Sequence, residues 1–350
     1  MRYKTSKGEL ILESDTPLGE YIVRWISDFC INIRLSTLSN YHLYLRHLQR
    51  HSIGSVPLRK LTTVLLQDFI RFLIQAGRID GYGGLSAKTV RNIIQMIRQA
   101  LQQAVACNLI SRNPAEYIVL PRAQQPVIEV LSVSELRQLI QTGINDPWGI
   151  SLVLLATTGI RLGELLALRK DCICDRAGIC FLDIHATLQR ITASDRSRDA
   201  PKTEICIGPP KTTNGFRQIP VTPEVMTLLK LYLQNQESRA KKAYGLFQDN
   251  PFLICNEVGN YIDPSNFRRW FRSIVTRAGL QRRVYPHLLR HTWASLALKA
   301  EVDLKTLSDT LGHYDPSFAA RRYVHGDLPG RAAILDKMRP LTAALLSSVD

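Results

Sequence analysis

Arg161 lies in an unusual position for a charged residue, between two glycines of the otherwise apolar segment TTGIRLGELLAL. The pattern predicts that a new helix begins at this point. A buried guanidinium group is costly unless it meets an anion, and its planar, permanent charge suits bidentate contact with phosphate oxygens. A second interpretation stays open, in which Arg161 forms a local ion pair with Glu164, three residues later.

His287 and Arg290 belong to the segment YPHLLRHTWASLAL, in which Pro286 predicts the start of a helix. The two side chains then lie on the same side of that helix, one turn apart. His287 and His291 have the spacing of a helical zinc pair, but Leu288 stands where a metalloprotease needs its glutamate. The pattern therefore does not favour a zinc protease, and His287 is a candidate for proton transfer.

Lys211 precedes the turn signal Asn214-Gly215 between two strand-like runs, which predicts that it belongs to a β-hairpin. No glycine-rich loop precedes it, so the segment is not a phosphate-binding loop of the nucleotide type. An ammonium group can protonate a leaving alkoxide. Lys202 lies nearby on the same polar insertion and remains an alternative for that role.

Gly312 predicts the end of a helix and puts His313 in the turn that follows. Asp315-Pro316 predicts the start of the next helix, on which Tyr323 follows two arginines. A tyrosine oxygen can attack phosphorus and hold the phosphoryl group covalently. Tyr314 is a competing candidate for the same chemistry.

These residues form a set that suits one kind of reaction: two arginines, a lysine, two histidines and a tyrosine, without paired carboxylates. Phosphodiester transfer depends mainly on positioning and charge stabilisation, which such a set supplies. The acidic ligands that a magnesium nuclease needs are missing from it. Cys172, Cys174 and Cys180 lie close together, but their spacing matches no zinc pattern. We therefore expect neither a metal nor another cofactor.

The positive charge of the chain is spread over both of its parts. The formal net charge is +15, and residues 1–121 hold 15 basic and 8 acidic side chains, against 30 and 22 in residues 122–350. Two basic globular parts predict a long polyanion as partner, and double-stranded DNA is the foremost candidate. Arg91 and Arg98 fall on the polar side of a predicted helix, where they meet either phosphates or solvent.

The composition, with 45% hydrophobic and 21% charged residues, is that of an ordinary globular protein long enough for two domains. No run approaches the roughly 18 apolar residues that a membrane span needs, and no targeting segment is visible. Seven scattered cysteines fit reduced thiols. We expect a cytoplasmic protein without a membrane partner.

The elements that position the candidate residues fall into two groups. Between Pro17 and Val105, apolar residues at three- and four-residue steps predict a small helical domain. Helix starts are predicted at Pro17, Ser36, Thr62 or Thr63, and Ser86. After the linker, the sequence pattern predicts a mainly α domain with one small antiparallel β-sheet inserted early. This is an α+β fold. Its first helix begins near Ser132 or Ser134. The predicted boundaries are an N-terminal segment at 1–15, a helical domain at 16–120, a linker at 121–130, the mixed domain at 131–340 and a tail at 341–350.

The order Arg…Lys…His-x-x-Arg…Leu-Gly-His…Tyr resembles the tyrosine recombinase, or phage integrase, family. TTGIRLGELLAL, HLLRHTWAS and LGH…YVH carry the resemblance, which covers nearly the whole chain. It implies a helical, SAM-like core-binding domain followed by a catalytic domain. It also implies a site-specific DNA recombinase that cleaves and rejoins strands through a 3′-phosphotyrosine intermediate, without metal or ATP.

The resemblance implies that four of the residues surround the scissile phosphate. Arg161 and Arg290 would clamp it, and His313 would donate a hydrogen bond to one of its oxygens. Glu164 would support Arg161.

The resemblance implies that three further residues move protons or form the covalent link. Lys211 would be the general acid toward the leaving 5′-oxygen, and His287 would assist proton transfer at the attacking hydroxyl. Tyr323 would form the 3′-phosphotyrosine, since its Tyr-x-His context matches the family better than that of Tyr314.

The sequence departs from the family pattern in two ways. Leu288 stands where the family commonly has an acidic residue, and the segment before Pro17 is too short for a complete arm-binding domain. The resemblance implies a homotetramer on DNA, with a monomer expected in free solution. After Tyr323, an apolar stripe docks either into a neighbour or onto its own domain; it consists of Leu335, Met338, Leu341 and Leu345. A type IB topoisomerase and a catalytically silent DNA-binding protein are the alternatives to a recombinase.

Overall fold

The computed structural model describes residues 3–6, 9–12, 14–122, 129–176, 178–192, 203–242, 245–248, 251–312 and 328–347. The chain divides into two compact units, Met1–Pro126 and Val127–Asp350. None of the helices described in either unit is long and apolar enough to cross a membrane.

The first unit consists of helices preceded by a short antiparallel pair of strands. These elements are β1 (Tyr3–Ser6), β2 (Glu9–Leu12), α1 (Leu18–Phe29), α2 (Leu35–Gln49), α3 (Thr63–Ala76) and α4 (Ala87–Ala106). Thr62 and Ser86 cap α3 and α4 as predicted, since each accepts a hydrogen bond from the backbone three residues later. The predicted cap at Ser36 is wrong, because α2 already begins at Leu35.

The core of the first unit forms where the apolar faces of these helices meet. Leu18 and Ile22 of α1 are fully buried, together with Phe69 of α3 and with Ile93 and Ile97 of α4. The burial follows the three- and four-residue spacing of the sequence, which confirms the predicted helical fold of this part.

The second unit is mainly helical. Its helices are α5 (Val133–Gly143), α6 (Ile150–Thr158), α7 (Leu162–Ala167), α8 (Pro223–Lys242), α9 (Pro264–Arg277), α10 (Pro286–Lys299), α11 (Leu304–Leu311) and α12 (Leu328–Leu346). A capping box of Ser132 and Glu135 starts α5. Nearly every residue of α6 is buried, so this helix forms the centre of the core.

The described strands of the second unit form two antiparallel sheets instead of the one that the sequence predicts. The first contains β3 (Ile173–Arg176), β4 (Ile179–Ile184) and β7 (Arg217–Pro220), in the order β3-β4-β7. The second pairs β5 (Thr187–Thr192) with β6 (Thr203–Gly208). The mainly α fold with a small amount of antiparallel sheet is confirmed.

Lys211 does not lie in a β-hairpin, so this prediction is wrong. It lies between β6 and β7, which belong to different sheets. The reason is that β7 pairs with β4, with Ile219 opposite Leu182, and both of these side chains are buried in the core. Lys211 therefore lies on the segment that crosses from one sheet to the other.

The last described helix, α12, packs on its own unit. Leu345 is 1% exposed and belongs to the main core, and Arg137 of α5 donates from Nε to the Ala344 carbonyl at 2.7 Å. Ile334 and Met338 contact the cluster around Trp293. The helix runs to Leu346, past position 341, where the sequence predicts the beginning of a tail. Its apolar side chains Ile334, Met338 and Leu345 are covered by the same unit.

Candidate active site

Arg161 is held at the junction between α6 and α7. Gly159 ends α6 with a left-handed backbone (φ 62°), and a side chain there would come within 2.7 Å of the Trp293 ring. The glycine therefore allows the chain to turn against α10, and Arg161 occupies the position before α7. Its side chain keeps 35% of its surface exposed.

Arg290 lies in the first turns of α10 and is only 2% exposed. Its Nη1 donates to the Gly159 carbonyl at 2.7 Å, and its Nη2 donates to the Leu311 carbonyl at 2.6 Å. The side chain thus joins the end of α6 to the end of α11. Burial, and then the charges of Arg161 and Arg217, lower the pKa of Arg290 to about 9.

The C-terminal end of α11 meets three arginines. Arg217 Nε donates to the Thr310 carbonyl at 2.6 Å. Arg290 Nη2 donates to the Leu311 carbonyl at 2.6 Å, and Arg161 Nη2 donates to the Gly312 carbonyl at 2.7 Å. Carbonyl groups at a helix end have no partner within the helix and carry the negative end of its dipole, so cations are favourable there. The end of α11 therefore gathers three guanidinium groups in one place.

Glu164 is the carboxylate that balances part of this charge. Its Oε1 accepts hydrogen bonds from Arg161 Nη1 at 2.7 Å and from Arg217 Nη1 at 3.0 Å. Its Oε2 accepts hydrogen bonds from Arg217 Nη2 at 2.8 Å and from the Arg161 backbone N–H at 3.0 Å. Burial opposes its ionisation, but Arg217 and then Arg161 outweigh burial and hold its pKa below the ordinary carboxyl value. Both interpretations of Arg161 are compatible with this geometry, because it pairs with Glu164 and still reaches the surface.

The charges of this cluster do not cancel. Arg161 and Arg217 share Glu164, whereas Arg290 donates only to backbone carbonyls. No second carboxylate among the described residues forms an ion pair with any of the three arginines. A partly buried excess of positive charge is unfavourable unless an anion is present. The cluster is therefore suited to binding an anion.

His287 lies one turn before Arg290 on α10, beside His291, with the ring centroids 4.6 Å apart. Although its side chain keeps an exposed face, desolvation and the charges of His291, Arg290 and Arg161 lower the pKa of His287 to about 4. The imidazole is therefore neutral near pH 7. A neutral imidazole can accept a proton or a hydrogen bond.

Lys211 is exposed, and its segment touches the cluster through the backbone. The chain turns tightly after it, with Gly215 packed on Pro210, and a side chain at Gly312 would come within 2.6 Å of the Asn214 carbonyl. The structure thus brings Arg161, Glu164, His287 and Arg290 together with the Lys211 segment.

The remaining candidates have different positions. His313 and Tyr323 lie outside the described residues, as do the competing residues Lys202 and Tyr314. Arg91 and Arg98 belong to α4 of the first unit. Arg91 is exposed, whereas Arg98 Nε donates to the Ala115 carbonyl at 3.0 Å. No group of His, Cys, Asp or Glu suited to a metal ion occurs in the part of the chain that the structure describes.

Arg217 is the residue of the cluster that sequence reasoning missed. It lies on β7 with its side chain 1% exposed, on the same face as the core residue Ile219. The signal was available, since residues two apart in a strand share a face. An arginine on the buried face of a strand needs an anionic partner, here Glu164, 53 residues earlier.

Comparison with known proteins assigns a family to most of the chain. The model of the phage integrase family matches residues 129–328, and that of the phage integrase SAM-like domain matches residues 19–119. A tyrosine recombinase XerC-like protein of Caldanaerobacter subterraneus subsp. tengcongensis is 25% identical over 323 residues, which cover 89% of this chain and 80% of the relative. The tyrosine recombinase XerD of Listeria monocytogenes is 24% identical over 298 residues, which cover 83% and 88%.

Two kinds of solved structure share the fold. The Tn1549 transposon integrase in complex with a circular intermediate DNA has a TM-score of 0.68 at 18% identity, covering 92% of this chain and 99% of that chain. The lambda integrase tetramer bound to a Holliday junction has a TM-score of 0.60 at 17% identity, covering 88% and 77%.

Proposed function

The chain belongs to the phage integrase family of tyrosine recombinases, and on this basis we propose the part that each candidate residue plays in breaking and rejoining DNA. The enzyme is a site-specific recombinase, a DNA strand transferase. The relatives found are recombinases and integrases, which does not favour a type IB topoisomerase or a silent DNA-binding protein.

The observation that carries the proposal is the uncompensated charge around Glu164. Arg161 and Arg290 hold the scissile phosphate, whose negative charge supplies the anion that the cluster lacks. Arg161 is the more accessible of the two, because a third of its side chain is exposed. The charge that develops on the phosphoryl oxygens in the transition state then meets preorganised donors. His313 adds a hydrogen bond to the same oxygens.

The chemical step is an exchange of one phosphoester bond for another. The Tyr323 oxygen attacks the phosphorus and forms the 3′-phosphotyrosine, while the bond to the 5′-oxygen breaks and that oxygen takes a proton from Lys211. His287, neutral in the free protein, accepts the proton of the attacking phenol while the negative charge of the bound phosphate offsets the arginine charges that keep its basicity low. Resealing reverses the step with the 5′-hydroxyl of another strand. No nucleotide is consumed, since the phosphotyrosine preserves a phosphoester bond.

Both units bind the partner, which is double-stranded DNA. Each part of the chain carries excess basic charge, as binding to a polyanion requires. We further propose that four copies assemble on two duplexes, each contributing one Tyr323, and that the free protein is a monomer. The reaction takes place in the cytoplasm.

Covalent capture tests the proposal. The chain is incubated with duplex DNA from the region that flanks its own gene, and complexes that survive detergent are digested and examined by mass spectrometry. We expect a nucleotide attached to Tyr323, and no adduct with Tyr323→Phe. Arg290→Ala should also abolish the adduct while most DNA affinity remains, because other phosphate contacts persist.

Two results would contradict the proposal. An adduct formed by Tyr323→Phe would show that another residue is the nucleophile. A loss of DNA affinity by Arg290→Ala as large as the loss of cleavage would show that Arg290 serves general binding rather than the scissile phosphate.

A further inference from the structure

Arg217 holds together three segments that are far apart in the chain. Its guanidinium group takes both oxygens of Glu164 on α7, and its Nε donates to the Thr310 carbonyl at the end of α11. Its Nη1 also donates to the Gly215 carbonyl at 3.2 Å, within the turn that follows Lys211. The side chain is buried throughout, so solvent cannot replace these hydrogen bonds.

The turn between Lys211 and Arg217 is short and tightly closed. Gly215 donates to the Thr212 carbonyl at 2.8 Å, and Phe216 donates to the Thr213 carbonyl at 3.1 Å. The turn therefore moves as one piece with the start of β7. Because Arg217 binds this piece to Glu164 and to α11, it sets where the backbone of Lys211 stands relative to Arg161.

We propose that Arg217 is a positioning residue for cleavage: it keeps the Lys211 segment in place against the arginine cluster, so that the Lys211 ammonium group meets the leaving 5′-oxygen. The inference rests on the proposed function. Arg217 itself touches neither the phosphate nor the leaving group, since its donors are directed to Glu164 and to the Thr310 and Gly215 carbonyls.

The charge of Arg217 also determines how Glu164 is shared. Arg217 occupies one site on each carboxylate oxygen, which leaves the Arg161 side chain one hydrogen bond to Glu164, from Nη1 to Oε1. Without Arg217, Glu164 would have Arg161 as its sole ion-pair partner among the described residues. Removal of Arg217 alone would therefore leave a buried carboxylate poorly balanced and lower stability.

The test separates positioning of Lys211 from general stability by changing both the protein and the leaving group. The variant is Arg217→Met combined with Glu164→Gln, which removes the buried pair without leaving one charge alone. Two substrates are compared: the duplex recovered in the covalent complex, and the same duplex with sulfur in place of the bridging 5′-oxygen at the cleaved bond. A thiolate leaves without protonation, because thiols are far more acidic than alcohols.

On ordinary DNA we expect the double variant to form the covalent complex at least about tenfold more slowly than the wild type, because its general acid is misplaced. On the sulfur-containing duplex the loss should be at least about threefold smaller, since no general acid is needed there and only the weakened support of Arg161 by position 164 remains. DNA affinity should stay within about twofold, because the phosphate contacts remain. Lys211→Ala should reproduce this pattern, and Arg176→Met, a change at an exposed arginine of β3, should leave both rates unchanged.

A single variant covers the case in which the double variant does not fold. Arg217→Lys keeps a cation beside Glu164, but one ammonium group cannot reach both carboxylate oxygens and the two carbonyls together. It should show the same dependence on the substrate.

Different results would overturn different statements. Wild-type rates of either folded variant on ordinary DNA would show that Arg217 has no part in cleavage. An equal loss on both substrates would show that Arg217 acts on the fold and not through Lys211. If the wild type forms no adduct on either substrate, the proposed function itself is wrong.

Discussion

The contributions of His287 and Glu164 to stability both fall as the pH falls, although one group is a base and the other an acid. The pKa of Glu164 is held below its ordinary value, against its burial, by Arg217 and Arg161. Its contribution to stability is therefore present above the unfolded carboxyl pKa of about 4.3 and is lost as pH falls through the folded value. The low pKa of His287 means that below about pH 6.5 the unfolded chain binds a proton that the folded chain does not. Stability thus falls as the solution becomes more acidic.

We predict that His287→Gln weakens this pH dependence. Between about pH 6.5 and pH 4, the free energy of unfolding of the wild type should fall more steeply with decreasing pH than that of the variant. Only the wild type has an imidazole at position 287 that binds a proton in the unfolded chain but not in the folded chain. Urea denaturation at several pH values measures the difference. The two curves should run parallel between pH 7 and pH 8, and parallel curves over the acidic range as well would contradict the low pKa.

At the residue scale, the sequence predicted Arg161, Glu164, His287 and Arg290 as neighbours in one site because each lies in a segment typical of the family. Their role in binding phosphate stays a prediction. Arg217 was missed although it shares a strand face with Ile219, because its main partner lies 53 residues away. Glu164 already had a local partner in Arg161, so nothing in the sequence required a second one.

At the scale of elements, the end of α11 is the point on which the site depends. Gly312 ends this helix with a left-handed backbone (φ 62°), and the Asn214 carbonyl approaches so closely that a Cβ atom would lie 2.6 Å away. A Cβ atom would also come within 3.2 Å of Arg217. The glycine therefore permits both the turn and the contact between α11 and the Lys211 segment.

We predict that Gly312→Ala destabilises the protein more than Gly279→Ala does. Gly279 follows α9 with nearly the same backbone (φ 65°) and has no atom within 4 Å of a Cβ position, so its substitution adds only the backbone cost of about 1–2 kcal/mol. Gly312→Ala should cost roughly 1–3 kcal/mol more, because the Lys211 segment must shift. Thermal unfolding of the two variants measures this difference. Equal destabilisation would show that the close approach is absent.

The elements were predicted well where a local signal exists and poorly where pairing is long-range. Thr62, Ser86 and Ser132 cap their helices because a short polar side chain reaches the first free amides. The pairing of β7 with β4 instead of β6 depends on which face of β7 the core covers, as the burial of Ile219 shows. The turn signal Asn214-Gly215 gave no information on that choice.

At the scale of the whole molecule, the excess of basic residues in both parts of the chain should dominate binding to DNA of any sequence. The individual arginines contribute differently. Arg91 is exposed on α4. Arg98 instead donates from Nε to the Ala115 carbonyl, and the Arg98 backbone carbonyl accepts a hydrogen bond from the Asn113 side chain.

We predict that Arg91→Gln and Arg98→Gln separate binding from stability. Arg91→Gln should weaken binding to non-specific duplex DNA and reduce the slope of log K against log salt by about 0.9, the value for one lost phosphate contact. Arg98→Gln should instead lower the free energy of unfolding of the first unit. Fluorescence anisotropy over a salt series and thermal unfolding distinguish the two effects. An unchanged salt slope for Arg91→Gln would contradict its contact with phosphate.

We propose that the uncompensated charge around Glu164 is the binding site of one DNA phosphate. A structure of the full chain trapped on its recovered duplex tests this most directly. We predict that oxygens of a single phosphate lie within about 3.2 Å of nitrogen atoms of both Arg161 and Arg290, with the Tyr323 oxygen bonded to its phosphorus. A trapped phosphate that contacts neither guanidinium group, with both arginines still bound to their protein partners alone, would show that this cluster does not bind the scissile phosphate.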